Sequence, residues 1–339
     1  AYTGSAIGIS NAHADVEGCL FINHPDECIE IIGGTQSGIN ILNSTVTGNT
    51  VGVKSALPAI YIHNSIVWGN TTKDLYETPF SFNVSYSNIG SDTDIHSGTG
   101  NIDADPLFVP GSKGDYCLSL SPLSPCINSG GDAAADVCSF NGETTVCMSD
   151  LTTRPDNVLD SGTVDMGFHY DIQGLPTVTP VPTQTPTPTI TPTPVPKTVY
   201  VPTDYATLVL AVADCRDGDT IIVEDGIYSG SGFQNILFYG KNILVRSENG
   251  PVHCILEISP PGRGFTFQYG ETPDAVLDGF TIRSGAVPGE GGGGILVEYA
   301  SPCIRNCIFD GNTADYGAGI CCGTLANPYI TNCLFENNA

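Results

Sequence analysis

Side chains able to do chemistry are unevenly supplied in this chain. Its 339 residues hold 36 Asp+Glu against 11 Lys+Arg, with 6 His and 13 Cys, for a formal net charge of −25. Arg283 and Arg305 lie 22 residues apart, with Asp278 and Asp310 close by in sequence. A cation in that setting could stabilise or receive charge, but no basic cluster accompanies it. Acidic residues are scattered among turns and form no recurring pair of the kind that convergent acid–base catalysis needs. Asp92, Asp94, Asp103 and Asp105 could suggest Ca²⁺ ligands. Neither a twelve-residue calcium loop nor a Gly-Gly-x-Gly-x-Asp repeat is present. No cofactor is therefore expected, and Ca²⁺ only as generic attraction to a negative surface. Gly291–Gly294 is followed by a strand and by no Lys-Ser/Thr, so it reads as a turn or bulge and not a phosphate loop.

No Cys-x-x-Cys pair occurs, which removes zinc ribbons and thioredoxin-type sites. The close pairs Cys117/Cys126 and Cys138/Cys147 could close short disulfide loops, and an odd total leaves at least one thiol over. Such cysteine usage fits an exported protein, at a cell surface or secreted. Strong negative charge opposes nucleic acid and anionic lipid as partners. No apolar run approaches the ~20 residues of a membrane helix. The first residues show no charged-then-apolar leader, so any export signal is expected to lie outside them. With 40% hydrophobic residues the chain can build a core, and global disorder is excluded.

The elements that must position these residues repeat. Ile304, Ile330, Val16, Ile41 and Ile62 each stand two residues before Asn306, Asn332, Gly18, Asn43 and Asn64. Three residues after those come Phe309, Phe335, Phe21, Val46 and Val67, and six after come Asn312, Asn338, His24, Asn49 and Asn70. A further column is expected at Ile295, Ile320, Ile7, Ile32 and Val53. The period within each half is 21–26 residues. Short alternating strands separated by Gly and Asn turns at that period suit one coil of a parallel β-solenoid. Apolar columns then form the core, and Asn columns link amides from coil to coil while tolerating left-handed backbone. His24 is thus a turn substitute, and Cys307, Cys333 and Cys19 share a core column, as packed thiols or a disulfide. Adjacent Cys321 and Cys322 point to opposite faces, so at most one belongs to the core. Asn43, Asn70 and Asn83 each begin a glycosylation sequon, but the first two lie in structural columns.

Between Pro176 and Pro196 the 21 residues are eight Pro, eight Thr and five others. This composition prefers extended polyproline II, at ~3.1 Å per residue, and could span roughly 65 Å. Thr183, Thr185, Thr187, Thr189, Thr191 and Thr193 are candidate O-glycan acceptors. The expected organisation is residues 1–172 as the carboxy-terminal half of a β-helix plus its closing segment, 173–197 as linker, and 198–339 as a capping helix with the amino-terminal half. The columns also run in phase across the ends. Were Ala339 followed by Ala1, Asn332 to Gly18 would be 25 residues and Ile320 to Ile7 would be 26. Residue 339 of one copy is therefore expected to continue into residue 1 of the next, either covalently in a tandem chain or between subunits head to tail. The tandem arrangement keeps neighbouring elements contiguous.

Read in the order 198–339 and then 1–172, the chain resembles the secreted bacterial right-handed parallel β-helix repeat proteins, the pectate-lyase-like superfamily. Tyr205–Ala213 looks like the short helix that caps such solenoids, and Asp217–Val223 like the first strand. Asp103–Phe108, Ser124–Gly130 and Asp165–Tyr170 look like the closing segment. The resemblance implies an all-β, right-handed parallel β-helix with one short capping helix. It also brings an enzymatic alternative, a secreted polysaccharide lyase or glycoside hydrolase, for which Arg283 and Arg305 are the weak candidate bases. The shortage of cations favours instead a non-catalytic extracellular structural protein, the unit of a filament or surface fibre. A carbohydrate-binding adhesin is the third reading.

Overall fold

A computed structural model describes the chain except residues 1–3, 35–36, 56–59, 78–81, 91–95, 112–113, 141–144 and 172–194. The six candidate O-glycan threonines, and Asp92 and Asp94, lie outside the described residues. The rest is a parallel β-solenoid of about 11 turns with a single short α-helix. Each full coil gives one strand to each of three sheets, here A, B and C, with 8, 10 and 9 strands among the described residues. Sheet A includes Phe265–Phe267, Ile295–Val297, Ile320–Cys322, Ile7–Ser10 and Glu27–Gly33; sheet B includes Val276–Asp278, Cys303–Arg305, Tyr329–Thr331, His13–Glu17 and Ile60–His63. Sheet C includes Cys254–Glu257, Thr281–Arg283, Ile308–Asp310, Leu334–Glu336 and Leu20–Ile22.

Like stacks on like because coils of equal length set equivalent residues one above another. Ile304, Ile330, Val16, Ile41 and Ile62 pair in register. So do Phe309, Phe335, Phe21, Val46 and Val67. The rings of Phe309 and Phe335 stack at 4.8 Å, and those of Phe335 and Phe21 at 4.6 Å. Between sheets B and C the chain turns on one left-handed residue, with φ of 53° at Asn306, 50° at Asn332, 49° at Asn43 and 49° at Asn64. That conformation costs most L residues 1–2 kcal/mol and suits Asn and Gly. The second Asn column forms an internal amide ladder: Asn312 Nδ2 donates to Asn338 Oδ1 at 3.0 Å, and Asn49 Nδ2 to Asn70 Oδ1 at 2.9 Å.

One column differs from its expectation. Ile7 pairs with Ile29, which pairs with Val53, while Ile32 is 42% exposed. The turn into sheet A is three residues shorter in this coil, Phe21 to Ile29 being 8 residues where Phe309 to Ile320 is 11, and the later shift between Ile9 and Ser10 leaves Ile32 as an extra residue of the strand. Equal spacing in sequence hid the shift.

Both ends of the solenoid are covered. At one end Thr207 caps the helix Leu208–Asp214 by accepting the Leu210 amide, and Leu208, Ala211 and Val212 are buried. At the other, Ile66, Leu118, Cys126 and Met166 form a separate cluster under the closing segment. His169 Nε2 meets Asp160 Oδ2 there at 3.0 Å, wholly buried. The disulfide Cys138–Cys147 forms as expected, but Cys117 and Cys126 are free, as are Cys19, Cys307 and Cys333. Cys117 lies in a two-stranded pairing, Phe108–Val109 with Cys117–Leu118, and Cys126 is in the cluster beneath.

The coil ending at Ala339 is followed by the coil beginning at Gly4, and the chain itself supplies both. All three sheets cross this joint: Ile320 pairs with Ile7, Ile330 with Val16 and Phe335 with Phe21. Across it the Ala318 amide donates to Ser5 O, the Ile320 amide to Ala6 O, and the Leu20 amide to Cys333 O. The approach is close enough that a Cβ on Gly4 would lie 2.3 Å from Ala314 O.

Candidate functional site

Arg283 and Arg305 do not converge. Arg283 is in a sheet C strand and its guanidinium pairs with Glu257. Arg305 is in a sheet B strand, so the two occupy different faces of the solenoid. Arg305 is 5% exposed, with Nε and Nη2 each 3.0 Å from Asp278 Oδ2. Asp278 also accepts from Asn306 Nδ2 at 2.7 Å, tying the pair to the left-handed turn. A guanidinium committed to a buried carboxylate cannot act as a base, so this pair is structural.

A cleft of about 590 Å³ lies at the capping-helix end, lined by Lys197, Asp214, Arg216 and Lys241, and others lie on the outer face of sheet A. Two clefts adjoin, one lined by Asn235, Leu237, Gln268 and Val287, the other, about 590 Å³, by Leu296, Glu298, Tyr316 and Cys321. Arg263 and Glu290 line both and form the wall between them. Arg263 Nη2 donates to Glu290 Oε2 at 2.7 Å and to Gly291 O at 3.1 Å. Glycine is required at 291, since a Cβ there would lie 2.5 Å from the Tyr316 ring and 2.7 Å from Cys321 Sγ. Burial pushes the Cys321 thiol up to about 12, and burial followed by Cys321 pushes the Tyr316 phenol up. Both stay protonated at neutral pH, so this face offers hydrogen-bond donors and no thiolate nucleophile. Arg263 and Glu290 are one coil apart, 27 residues, but neither lies in the columns read from the sequence; Glu290 is in the strand Ala286–Gly291, which pairs in parallel with Thr313–Tyr316.

No family model matches this chain, and no curated protein does. Among solved structures it is similar to a PL6-family alginate lyase, AlyGC, in two forms. One is a point mutant, at TM-score 0.27 and 14% identity over 92% of this chain and 44% of that one. The other has the same score and identity over 90% and 39%. The chain therefore spans about two-fifths of the lyase's length. A likeness at that level assigns no chemistry here. Among the described residues no group of three or more His, Cys, Asp or Glu is placed to hold a metal ion, and no helix is long and apolar enough to cross a membrane.

The joint is the other distinctive surface. His24, in the column otherwise held by asparagines, bridges it: the Asn338 amide donates to Nδ1 at 3.2 Å, and Nε2 lies 3.2 Å from Phe335 O. Burial pulls the imidazole down to about 4 despite these backbone contacts. It is neutral in the fold and completes the ladder between Asn338 and Asn49, whose Oδ1 accepts the His24 amide at 3.0 Å. The outer face of sheet B holds a third group, His63 with Ser85 and Asp132.

Proposed function

We propose that this chain is a non-catalytic extracellular structural protein, the unit of a head-to-tail fibre of β-helix beads joined by Thr-Pro linkers. One observation carries the reading. The joint between the coil of residues 314–339 and that of residues 4–24 is a complete solenoid interface on three sheets, while the covalent path between its sides runs through the distant residues 172–194. A second copy presents the same two surfaces, and exchange between copies is heterologous and extends head to tail. A tandem chain would make the same contact covalently. The disulfide Cys138–Cys147 supports an oxidising compartment.

Mixing two differently tagged preparations of the chain tests this. At high concentration, mixed oligomers and short fibres should appear by co-purification and electron microscopy. A chain that stays strictly monomeric and unmixed at every concentration, or that turns over uronate polymers, would overturn it.

The adjoining clefts of sheet A favour a second reading, carbohydrate binding. Retention of a neutral glycan that is lost in Tyr316→Ala would support it.

A further inference from the structure

His63, Ser85 and Asp132 come from three separate elements. His63 ends the sheet B strand Ile60–His63 and Ser85 ends the next one, Asn83–Ser85, and the two residues are paired in register with outward side chains. Ser85 Oγ is 2.8 Å from His63 Nδ1, and Asp132 Oδ2 is 2.9 Å from His63 Nε2. A carboxylate only accepts, so Nε2 carries the imidazole proton and Nδ1 presents a lone pair to the Ser85 hydroxyl. The hydrogen bond from His63, with that from Asn64, holds the Asp132 carboxyl below its ordinary range.

The imidazole is fixed from several sides. Asn64, the left-handed turn residue after His63, donates through Nδ2 to Asp132 Oδ2 at 3.2 Å and accepts the Gly131 amide through Oδ1 at 2.7 Å. The Val164 amide donates to Asp132 O, tying the loop to the closing segment. The Tyr86 ring packs edge-on at 5.6 Å from the imidazole, and a Cβ on Gly131 would come within 3.0 Å of His63 Cε1. The same sheet face holds a control built from similar parts. His13, Asp15 and Asn40 are also in contact, but Asp15 and the Asn40 amide both meet His13 Nε2, and no hydroxyl is among them.

We propose that Ser85, His63 and Asp132 form a nucleophile–base–carboxylate triad that cleaves short-chain carboxylic esters. The two imidazole nitrogens exchange the roles they hold in the familiar serine hydrolases, which leaves the proton path intact. Ser85 Oγ attacks the ester carbonyl carbon while its proton passes to His63 Nδ1. The carbonyl–alkoxy bond then breaks, and the alkoxide leaves with that proton. Water repeats the sequence on the acyl-serine, releasing the acid and restoring Ser85. His63 and Ser85 are both partly exposed, which suits a small acyl group. This inference replaces the non-catalytic part of the reading above and does not depend on the structural part.

The full chain should be treated with diisopropyl fluorophosphate, in which a P–O bond to serine forms as P–F breaks and HF is released. Peptide mapping should find one adduct, on Ser85, and p-nitrophenyl acetate should be hydrolysed with a burst. Ser85→Ala should abolish the adduct and lower hydrolysis by about 10²-fold or more, and Asp132→Asn should slow both by roughly tenfold or more. Ser85→Cys should keep acylation. An unlabelled Ser85 in the wild-type chain overturns the proposal whether or not any variant folds, and so does hydrolysis that Ser85→Ala leaves within about threefold.

Discussion

His24 stands in the amide ladder at the one coil where the two halves of the chain meet. Its folded pKa of about 4 lies below the ordinary 6.5, so the unfolded chain takes up the proton first as pH falls. The stabilisation from a neutral His24 is whole above about pH 6.5, declines below it, and is gone near pH 4, a loss of about 3 kcal/mol. Urea unfolding at about pH 7 and about pH 4.5 should show this loss, and His24→Asn, which restores the ladder residue, should shrink it. Arg305 supplies a second case. Leaving Asp278 buried without its partner in Arg305→Ala should cost about 3–5 kcal/mol. Arg283→Ala removes a more exposed pair and should cost under about 1 kcal/mol by the same denaturation measurement.

At the scale of the element, the Phe309–Phe335–Phe21 stack runs through the joint, so its middle ring belongs to both halves. Phe335→Ala should cost about 3–5 kcal/mol, and the loss should appear as weakened association of the halves as well as a lower thermal midpoint. The columns around this stack were legible because coils of similar length repeat their apolar, Asn and Gly positions at one period. The helix Leu208–Asp214 was expected, over Tyr205–Ala213, from the resemblance to capped solenoids, and the structure adds its cap at Thr207. Ile29 was hidden by a shorter turn before its strand, since a count of residues assumes that every turn has the same length. The site groups were harder to see. Ser85 and His63 are 22 apart, one coil, which places them in one column, but nothing in the spacing brings Asp132 to them. Arg263 and Glu290 are 27 apart, also one coil, but Glu290 lies in the strand Ala286–Gly291, outside the columns counted from the sequence. Loop-borne partners carry no period, and only the fold delivers them.

Across the whole molecule, ten sheet B strands spaced ~4.8 Å apart make an axis of roughly 45 Å. A Thr-Pro tract reaching roughly 65 Å is long enough to return from one capped end to the other. Closure within one chain then competes with exchange between chains at an effective concentration on the order of millimolar. Dilute chains should therefore be closed monomers, with mixed species growing as concentration approaches that value, as light scattering would report. Residues 198–339 alone expose a raw coil end and should not give a cooperative soluble monomer. Adding residues 1–172 should restore cooperative melting. A protease cut inside 173–197 should leave two fragments that co-elute until denatured.

The closed joint also has a mechanical meaning. Where the two sides are not joined covalently, tension applied across it meets hydrogen bonds and stacked rings, so the joint parts before the coils on either side unravel. The Thr-Pro tract then holds the separated halves on one leash, within reach of each other. A strand built from such units would behave as a chain of resettable fuses, yielding under a pull at fixed places and re-engaging when the load is gone.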